Sequence, residues 1–390
     1  MDTKEQKLDL EFAYPDKQRS ELSRSFLVFK LLNNPLLVNI SSKATLLALK
    51  LGLPIGFAIK QTIFKHFCGG ETLEESVKVI ENLGNDGIFT TLDYSAESEE
   101  SAAFFEKTKT EILKAIDFAK GNSLVKSLAI KPTGLISYNL LKKKSETDEL
   151  NSKEQEAYCA AINRIDQICH AAYKHKIEVY IDAEESTTQK ALDDISIEMM
   201  KKYNQDKAVV YITLQMYRKD RLAFLGELVE MAKQERYFLG VKLVRGAYWD
   251  KERERERRKG GEEIVFSQKE DTDSAFNNAL DLCIENLDNV YVCNATHNEV
   301  SSEYLALAMH KKNLPNDHKA IQFSQLYGMS DHISYSMAKA GYNVSKYLPY
   351  GPVKQVIPYL IRRAEENTAI SGQLGREIQL IEQAMERKIE

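Results

Sequence analysis

Cysteine is sparse: five residues in 390, Cys68, Cys159, Cys169, Cys283 and Cys293, with no C-x-x-C pair among them. An odd, scattered set in a long chain excludes a disulfide framework and a thiolate zinc site, and it fits a reducing compartment. The eight prolines and single tryptophan mark no linker or repeat, which sets aside solenoids and low-complexity segments. Neither sign of charge dominates. Lys and Arg number 53 against 58 Asp and Glu, a net charge of −5, so the footprint of a nucleic-acid binder is missing. Long hydrophobic runs are missing too. The nearest, 44–59, is 16 residues interrupted by Lys50 and Pro54, short of the roughly 20 that a membrane span takes. A buried helical segment is expected there, with a surface helix touching lipid as the alternative. Residues 1–16 have neither the apolar core of a secretory signal nor the acid-poor character of a transit peptide. With no targeting segment visible, a cytoplasmic location is expected.

What the chain does have is enough apolar residues, 43%, for a sizeable core. From residue 86 onward, short β-branched or apolar runs alternate with helical patterns. The predicted strands are 87–92, 128–132, 178–183, 208–215, 239–246, 289–295, 320–326 and 342–347. Parallel strands need crossover helices, so eight strand-then-helix units predict an α/β protein with a (β/α)8 TIM-like barrel. An open dinucleotide-binding sheet is the alternative, but no G-x-G-x-x-G follows an early strand. The start of the chain reads as helices without strands, at 18–32 and 41–67. The expected division is therefore an N-terminal helical arm over 1–75 and a barrel over 76–390. Charge runs at 142–156 and 250–263 read as solvated helix faces or loops.

Barrel enzymes gather reactive groups at the carboxyl ends of their strands. Lys131, Asp182 and Gln215 each close an otherwise apolar strand, where burial without a partner is costly. The fifth strand carries Lys242 and runs out through Arg245-Gly246-Ala247-Tyr248-Trp249. Two cations, small residues and a stacking face suit a large anionic aromatic cofactor. The sixth strand leads to Thr296 and His297. After the last strand, Tyr347 to Pro352 turn into a helix bearing Tyr359, Arg362, Arg363 and Glu366. Spacings of three and four place these on adjoining faces, a multi-donor clamp for a carboxylate with an acid one turn on.

In Ile181-Asp182-Ala183-Glu184-Glu185, Leu243-Val244-Arg245-Gly246-Ala247-Tyr248, Ala295-Thr296-His297-Asn298 and Tyr359-Leu360-Ile361-Arg362-Arg363, the chain resembles the proline dehydrogenases. The likeness runs over roughly residues 80–375 and keeps the family's motif order. It implies a distorted barrel holding FAD that oxidises L-proline to pyrroline-5-carboxylate, the first step of proline catabolism, with electrons passed to a membrane quinone. It further implies that Arg362, Arg363 and Lys131 bind the substrate carboxylate and that Asp182 supports the site. Tyr347, Tyr359 and Leu326 would pack on the pyrrolidine ring, and Glu366 would pair with an arginine. On the cofactor side, Gln215 and Lys242 would contact the isoalloxazine. Arg245, Gly246, Ala247, Tyr248 and Trp249 would meet the diphosphate and adenosine, with Thr296 and His297 on further atoms. Lys242, as the positive charge near the flavin, and Asp182 are the catalytic candidates.

The order Lys242 then Arg245 resembles the mitochondrial-type branch; many bacterial members have Arg then Lys. No room remains for an aldehyde dehydrogenase domain, so a monofunctional enzyme with a separate pyrroline-5-carboxylate dehydrogenase downstream is expected. Transient peripheral contact with a membrane is expected as well. No metal site and no nucleic-acid partner are expected. Two other readings stay open from the residues alone. One is a metal-dependent barrel lyase or hydrolase using Asp182, Glu184, Glu185 and His297. The other is an inactive barrel whose arm binds a membrane or partner.

Overall fold

In a computed structural model, which describes residues 19–51, 53, 56–95, 100–260, 263–369 and 371–387, eight parallel strands close into a barrel in chain order. Helices α1 (Arg19–Leu32), α2 (Pro35–Lys50) and α3 (Gly56–Ile59), a π-helical turn (Lys60–Phe64) and α4 (Lys65–Phe67) come first. Then follow α5 (Leu73–Asn85), β1 (Phe89–Tyr94), α6 (Ala102–Lys120), β2 (Val125–Ile130), a single 3-10 turn (Pro132–Gly134), α7 (Tyr138–Thr147), α8 (Ser152–His175) and β3 (Glu178–Ile181). The second half runs α9 (Ser186–Tyr203), β4 (Val210–Gln215), α10 (Arg221–Glu235), β5 (Leu239–Val244), α11 (Trp249–Lys259), α12 (Lys269–Glu285) and β6 (Val290–Ala295). It ends with α13 (Glu299–Lys311), β7 (Ile321–Leu326), α14 (Asp331–Lys339), β8 (Val344–Tyr350), α15 (Val353–Ala369) and α16 (Ser371–Arg387).

All eight expected strands are present, with shifted ends. β1 starts and stops two residues late because Gly87, at φ 72°, belongs to the turn out of α5. β8 runs on through Pro349 to Tyr350, since the backbone of Gly69 and Gly70 joins its end: Gly69 N–H donates to Pro349 O at 2.9 Å. The ring closes where β1 pairs with β8, from Phe89 opposite Ser345 to Tyr94 opposite Tyr350.

Local sequence explains the helices. Thr72 caps α5 by accepting the Glu75 N–H, and Leu73, Ile80 and Leu83 fall on its buried face. Asn151 and Glu154 form a capping box at the start of α8. Three cores result. One lies between barrel and helix ring, and a second fills the barrel with Ala129, Tyr180, Tyr211, Tyr291 and Cys293. In the third, Leu22, Phe29 and Leu32 of α1 and Val38 of α2 pack with Val356 and Leu360 of α15 and Ile381 of α16. Each such side chain contributes about 1.5–3 kcal/mol.

Two expectations are corrected. The stretch 44–59 is not a buried helix: α2 ends at Lys50, and Leu51, Leu53 and Phe57 are exposed. Nor is 250–263 simply a solvated face. Glu252 of α11 is fully buried and accepts bonds from Ser186 N (2.8 Å) and Oγ (2.7 Å), capping the otherwise unsatisfied start of α9. Residues 1–16, read for targeting, lie outside the described residues.

Candidate active site

Alternation along a strand sends every second side chain into the barrel. At the carboxyl ends this brings together groups far apart in sequence. Lys131 follows β2 directly, Asp182 follows β3, Lys242 lies in β5 and Tyr347 in β8. Lys242 Nζ donates to Asp182 Oδ1 at 2.7 Å, and Tyr347 OH donates to Asp182 Oδ2 at 2.8 Å. Lys131 Nζ donates to Tyr347 OH at 3.0 Å and to Asp93 Oδ2 at 2.8 Å, and stands 3.9 Å from Asp182 Oδ2. Two cations, two carboxylates and a phenol thus form one continuous network.

Electrostatics fixes the protonation states. Burial works to raise the Asp182 carboxyl, but Lys242, Lys131 and the bonds from Lys242 and Tyr347 outweigh it and hold it below the usual carboxylate range. Burial, then the carboxylates of Asp182 and Asp93, push Tyr347 well up. The phenol therefore stays protonated and serves as the donor to Asp182.

A wall forms beside this network. Lys131 Nζ lies 5.5 Å from the Tyr347 ring centre and 5.9 Å from that of Tyr359, while Arg363 Cζ lies 5.2 Å from Tyr359. Lys242 Nζ stands 4.9 Å from the Tyr347 ring. Leu326 pairs with Tyr347 in register and touches both the barrel interior and the arm cluster. Lys131, Leu326, Tyr347, Tyr359 and Arg363 thus converge, with half-buried Arg362 beside them on α15. Aromatic and aliphatic surface flanked by cations is what a small apolar ring bearing a carboxylate requires. The Glu366 side chain lies outside the described residues.

Across the mouth, β4 to β6 present a different chemistry. The buried Thr213 Oγ1 and Gln215 Oε1 have no hydrogen-bond partner. Arg245 is already held: Nε donates to Asp273 at 2.7 Å, with bonds to Thr296 Oγ1 at 2.5 Å and Ser301 Oγ at 3.0 Å. Trp249 Nε1 donates to Phe266 O at 2.8 Å. Gly246 has φ 125°, and a Cβ there would overlap the Tyr217 ring, so Tyr217 by itself demands the glycine. Ala247 and Tyr248 complete the turn into α11. His297 Nδ1 bonds Ser330 Oγ at 2.9 Å. Burial and then the nearby cations Lys346 and Arg363 push His297 down to about 3, so its imidazole is neutral.

The sequence reading missed Asp93 and Lys346. Asp93 is fully buried on β1, binds Lys131 and Ser95, and leaves Oδ1 without a partner. Lys346, fully buried on β8, pairs with Asp331 at 2.8 Å and donates to Met329 O at 2.5 Å, tying the turn after β7 to the strand that carries Tyr347. A lysine inside an apolar strand was a readable signal.

The metal alternative fails on geometry. Among the described residues no three His, Cys, Asp or Glu side chains are placed to hold a metal ion. Asp182 answers to Lys242 and Tyr347, Glu184 accepts Thr133 N at 2.9 Å and Oγ1 at 2.8 Å, and Glu185 pairs with Lys251 and Arg255.

Fold and site together define a (β/α)8-barrel protein with a cationic, aromatic-walled site at the carboxyl ends of its strands. The chain belongs to the proline dehydrogenase family, whose model matches residues 76–376. It is 36% identical to the carbapenem antibiotics biosynthesis protein CarD of Pectobacterium carotovorum subsp. carotovorum, covering 83% of this chain and 84% of that one. Against proline dehydrogenase 1, mitochondrial, of Dictyostelium discoideum the identity is 30%, over 94% and 72%. Against the hydroxyproline dehydrogenase of Xenopus laevis it is 28%, over 96% and 88%. Among solved structures, proline utilization A (PutA) from Bdellovibrio bacteriovorus inactivated by N-propargylglycine superposes with a TM-score of 0.72 at 21% identity. That alignment covers 90% of this chain and 37% of PutA, so the chain spans little over a third of that protein, and the likeness shows the fold. Membership makes the chain an oxidoreductase of proline catabolism.

Proposed function

We propose that this chain oxidises L-proline to pyrroline-5-carboxylate at a bound FAD and delivers the electrons to a membrane quinone. The observation that carries the reading is the continuous network of Asp182, Lys131, Lys242 and Tyr347 facing Tyr359 and Arg363.

The donor set fits a flavin. The unpartnered Gln215 Oε1 and Thr213 Oγ1 offer buried hydrogen-bonding positions beside Lys242, Thr213 being its register partner. Gln215 and Lys242 would hold the ring system. Arg245, Gly246, Ala247, Tyr248 and Trp249 would hold the diphosphate and adenosine, and Thr296 and His297 further atoms. When bound, the flavin supplies hydride acceptance; the protein supplies orientation and charge.

Arg362, Arg363 and Lys131 bind the proline carboxylate, while Tyr347, Tyr359 and Leu326 hold the ring. Glu366 pairs with an arginine. Asp182 fixes Lys242 and Tyr347 in place. The reaction breaks the C5–H bond with its electron pair and forms the C5=N bond, so the nitrogen must arrive unprotonated and its proton leaves to solvent. Lys242 places positive charge where electron density accumulates. The membrane contact is peripheral, the product passes to a separate pyrroline-5-carboxylate dehydrogenase, and the location is cytoplasmic.

The test is product identity. Purified protein loaded with FAD and given L-proline and a soluble quinone should yield pyrroline-5-carboxylate by mass spectrometry, one per quinone reduced. An unchanged proline pool contradicts the reading.

A further inference from the structure

Burial is inverted in the arm. Of the twelve most exposed large hydrophobic side chains among the described residues, eight fall between residues 27 and 57. On α1, Leu27 and Leu31 are one turn apart and exposed, while Leu22, Phe29 and Leu32 are buried. On α2, Leu36 (74% exposed) and Ile40 (63%) share a stripe opposite Val38 and Ser42, and Phe57 (76%) follows on α3. An apolar surface of this extent on a polar chain marks contact with something apolar.

Charge says what. Residues 19–67 hold seven Lys and Arg against the single acid Glu21, in a chain whose net charge is −5. Exposed Arg24 and Lys30 flank the α1 stripe, and exposed Lys43 continues the α2 stripe one turn beyond Ile40. Lys60 is spoken for by Glu71 at 2.6 Å and Glu75 at 3.4 Å. A second copy placed face to face would set like charges against like. An anionic bilayer satisfies both features at once, apolar side chains entering the acyl boundary and cations meeting headgroups. No helix among the described residues is long and apolar enough to cross a membrane, so the surface lies on the bilayer.

The position matters. The covered face of the arm packs on α15 and α16, and α15 carries Tyr359, Arg362 and Arg363. We infer that the outer face of α1 to α3 is the surface by which this protein docks on an anionic lipid bilayer, bringing the helix that carries the substrate-binding arginines to the membrane. This rests on the reading that a membrane quinone takes the electrons.

The test is co-sedimentation of the FAD-loaded full chain with vesicles of phosphatidylcholine alone or mixed with phosphatidylglycerol. Three proteins are compared: wild type, the variant Arg24→Ser/Lys30→Ser/Lys43→Ser, and the variant Leu36→Ser/Ile40→Ser/Phe57→Ser. Proline oxidation is read with a soluble dye and with quinone embedded in the vesicles. Wild type should bind phosphatidylglycerol vesicles at least a hundredfold more tightly than neutral ones, and removing three cations, at about 1 kcal/mol each, should weaken that binding about a hundredfold. Dye-coupled rates should be unchanged in both variants, which also shows that they fold, while rates with vesicle-held quinone should fall with binding. Equal, weak binding to both vesicle types overturns the docking surface. So do variants that bind as wild type does but change from oligomer to monomer, which assigns the face to self-association. A wild type that docks yet leaves proline unoxidised contradicts the catalytic reading and supports the docking surface.

Discussion

The barrel mouth and the arm break the same rule in opposite directions. At the mouth, Asp93 and Lys242 are charged and buried; on the arm, Leu36, Ile40 and Phe57 are apolar and exposed. Cores take apolar groups and surfaces take charge, so either reversal costs stability unless a partner or ligand offsets it. At the mouth the offset is internal, through the ion pairs among Lys131, Lys242, Asp93 and Asp182. On the arm nothing within the described residues covers those side chains, and the proposed lipid surface supplies the offset from outside. Substitutions that break these buried ion pairs should therefore damage fold and catalysis together, whereas substitutions on the arm should affect only docking.

The sharpest break comes at Asp182. Replacing it with alanine strands Lys242 beside Tyr347 without its counter-charge, and removing one partner of a buried pair costs about 3–5 kcal/mol. Denaturant unfolding should register that loss alongside abolished proline oxidation; an unchanged midpoint would mean the network is not structural. Arg363→Met removes a guanidinium from the proposed carboxylate clamp and should raise KM for proline by an amount equivalent to about 2–5 kcal/mol, with the fold intact. An unchanged KM contradicts the clamp.

A pH effect follows at intermediate size. Burial first, then neighbouring cations, push His297 down to about 3 and His332 to about 4, from an ordinary 6.5. The unfolded chain therefore binds more protons than the folded one between those values, so stability holds above pH 6.5 and falls as pH drops below it. Each histidine contributes a slope of about 1.4 kcal/mol per pH unit within its window. Thermal melting at pH 7 and pH 5 should show the drop, and His332→Gln should flatten it; an equally steep drop in that variant would place its cause elsewhere.

Two smaller effects complete the series. Tyr347→Ser replaces the ring proposed to pack on the pyrrolidine with a small hydroxyl, leaving room for one more hydroxyl on the substrate, so it should shift the ratio of kcat/KM toward 4-hydroxyproline by about tenfold or more. Unaltered discrimination moves selectivity to another wall. Leu36→Ser on the arm should change unfolding stability by less than about 0.5 kcal/mol, as an exposed position does. A loss of several kcal/mol would show that a part of the chain covers it.

Much of the mouth was legible because apolar strands end abruptly in a polar residue, as at Lys131, Asp182 and Gln215. Asp93 is not legible because apolar patterning begins β1 at Gly87 and ends it at Leu92, whereas the positive φ of Gly87 shifts the strand to Phe89–Tyr94. Glu252 looked like one more charge in a run until the fold set it under the first turn of α9. The arm was harder. Hydropathy registers Leu27 and Phe29 alike, and only packing on α15 and α16 decides which of them is covered. Periodicity gives a helix its faces; tertiary contact chooses between them.

Proline oxidation at a flavin is tested most directly by the visible absorption spectrum of the purified full chain, supplied with FAD, before and after L-proline in the absence of oxygen. Flavin bands that stay with the protein through gel filtration and bleach on adding L-proline are the predicted result. A colourless protein that does not retain FAD, or bands that L-proline leaves unchanged, would contradict it.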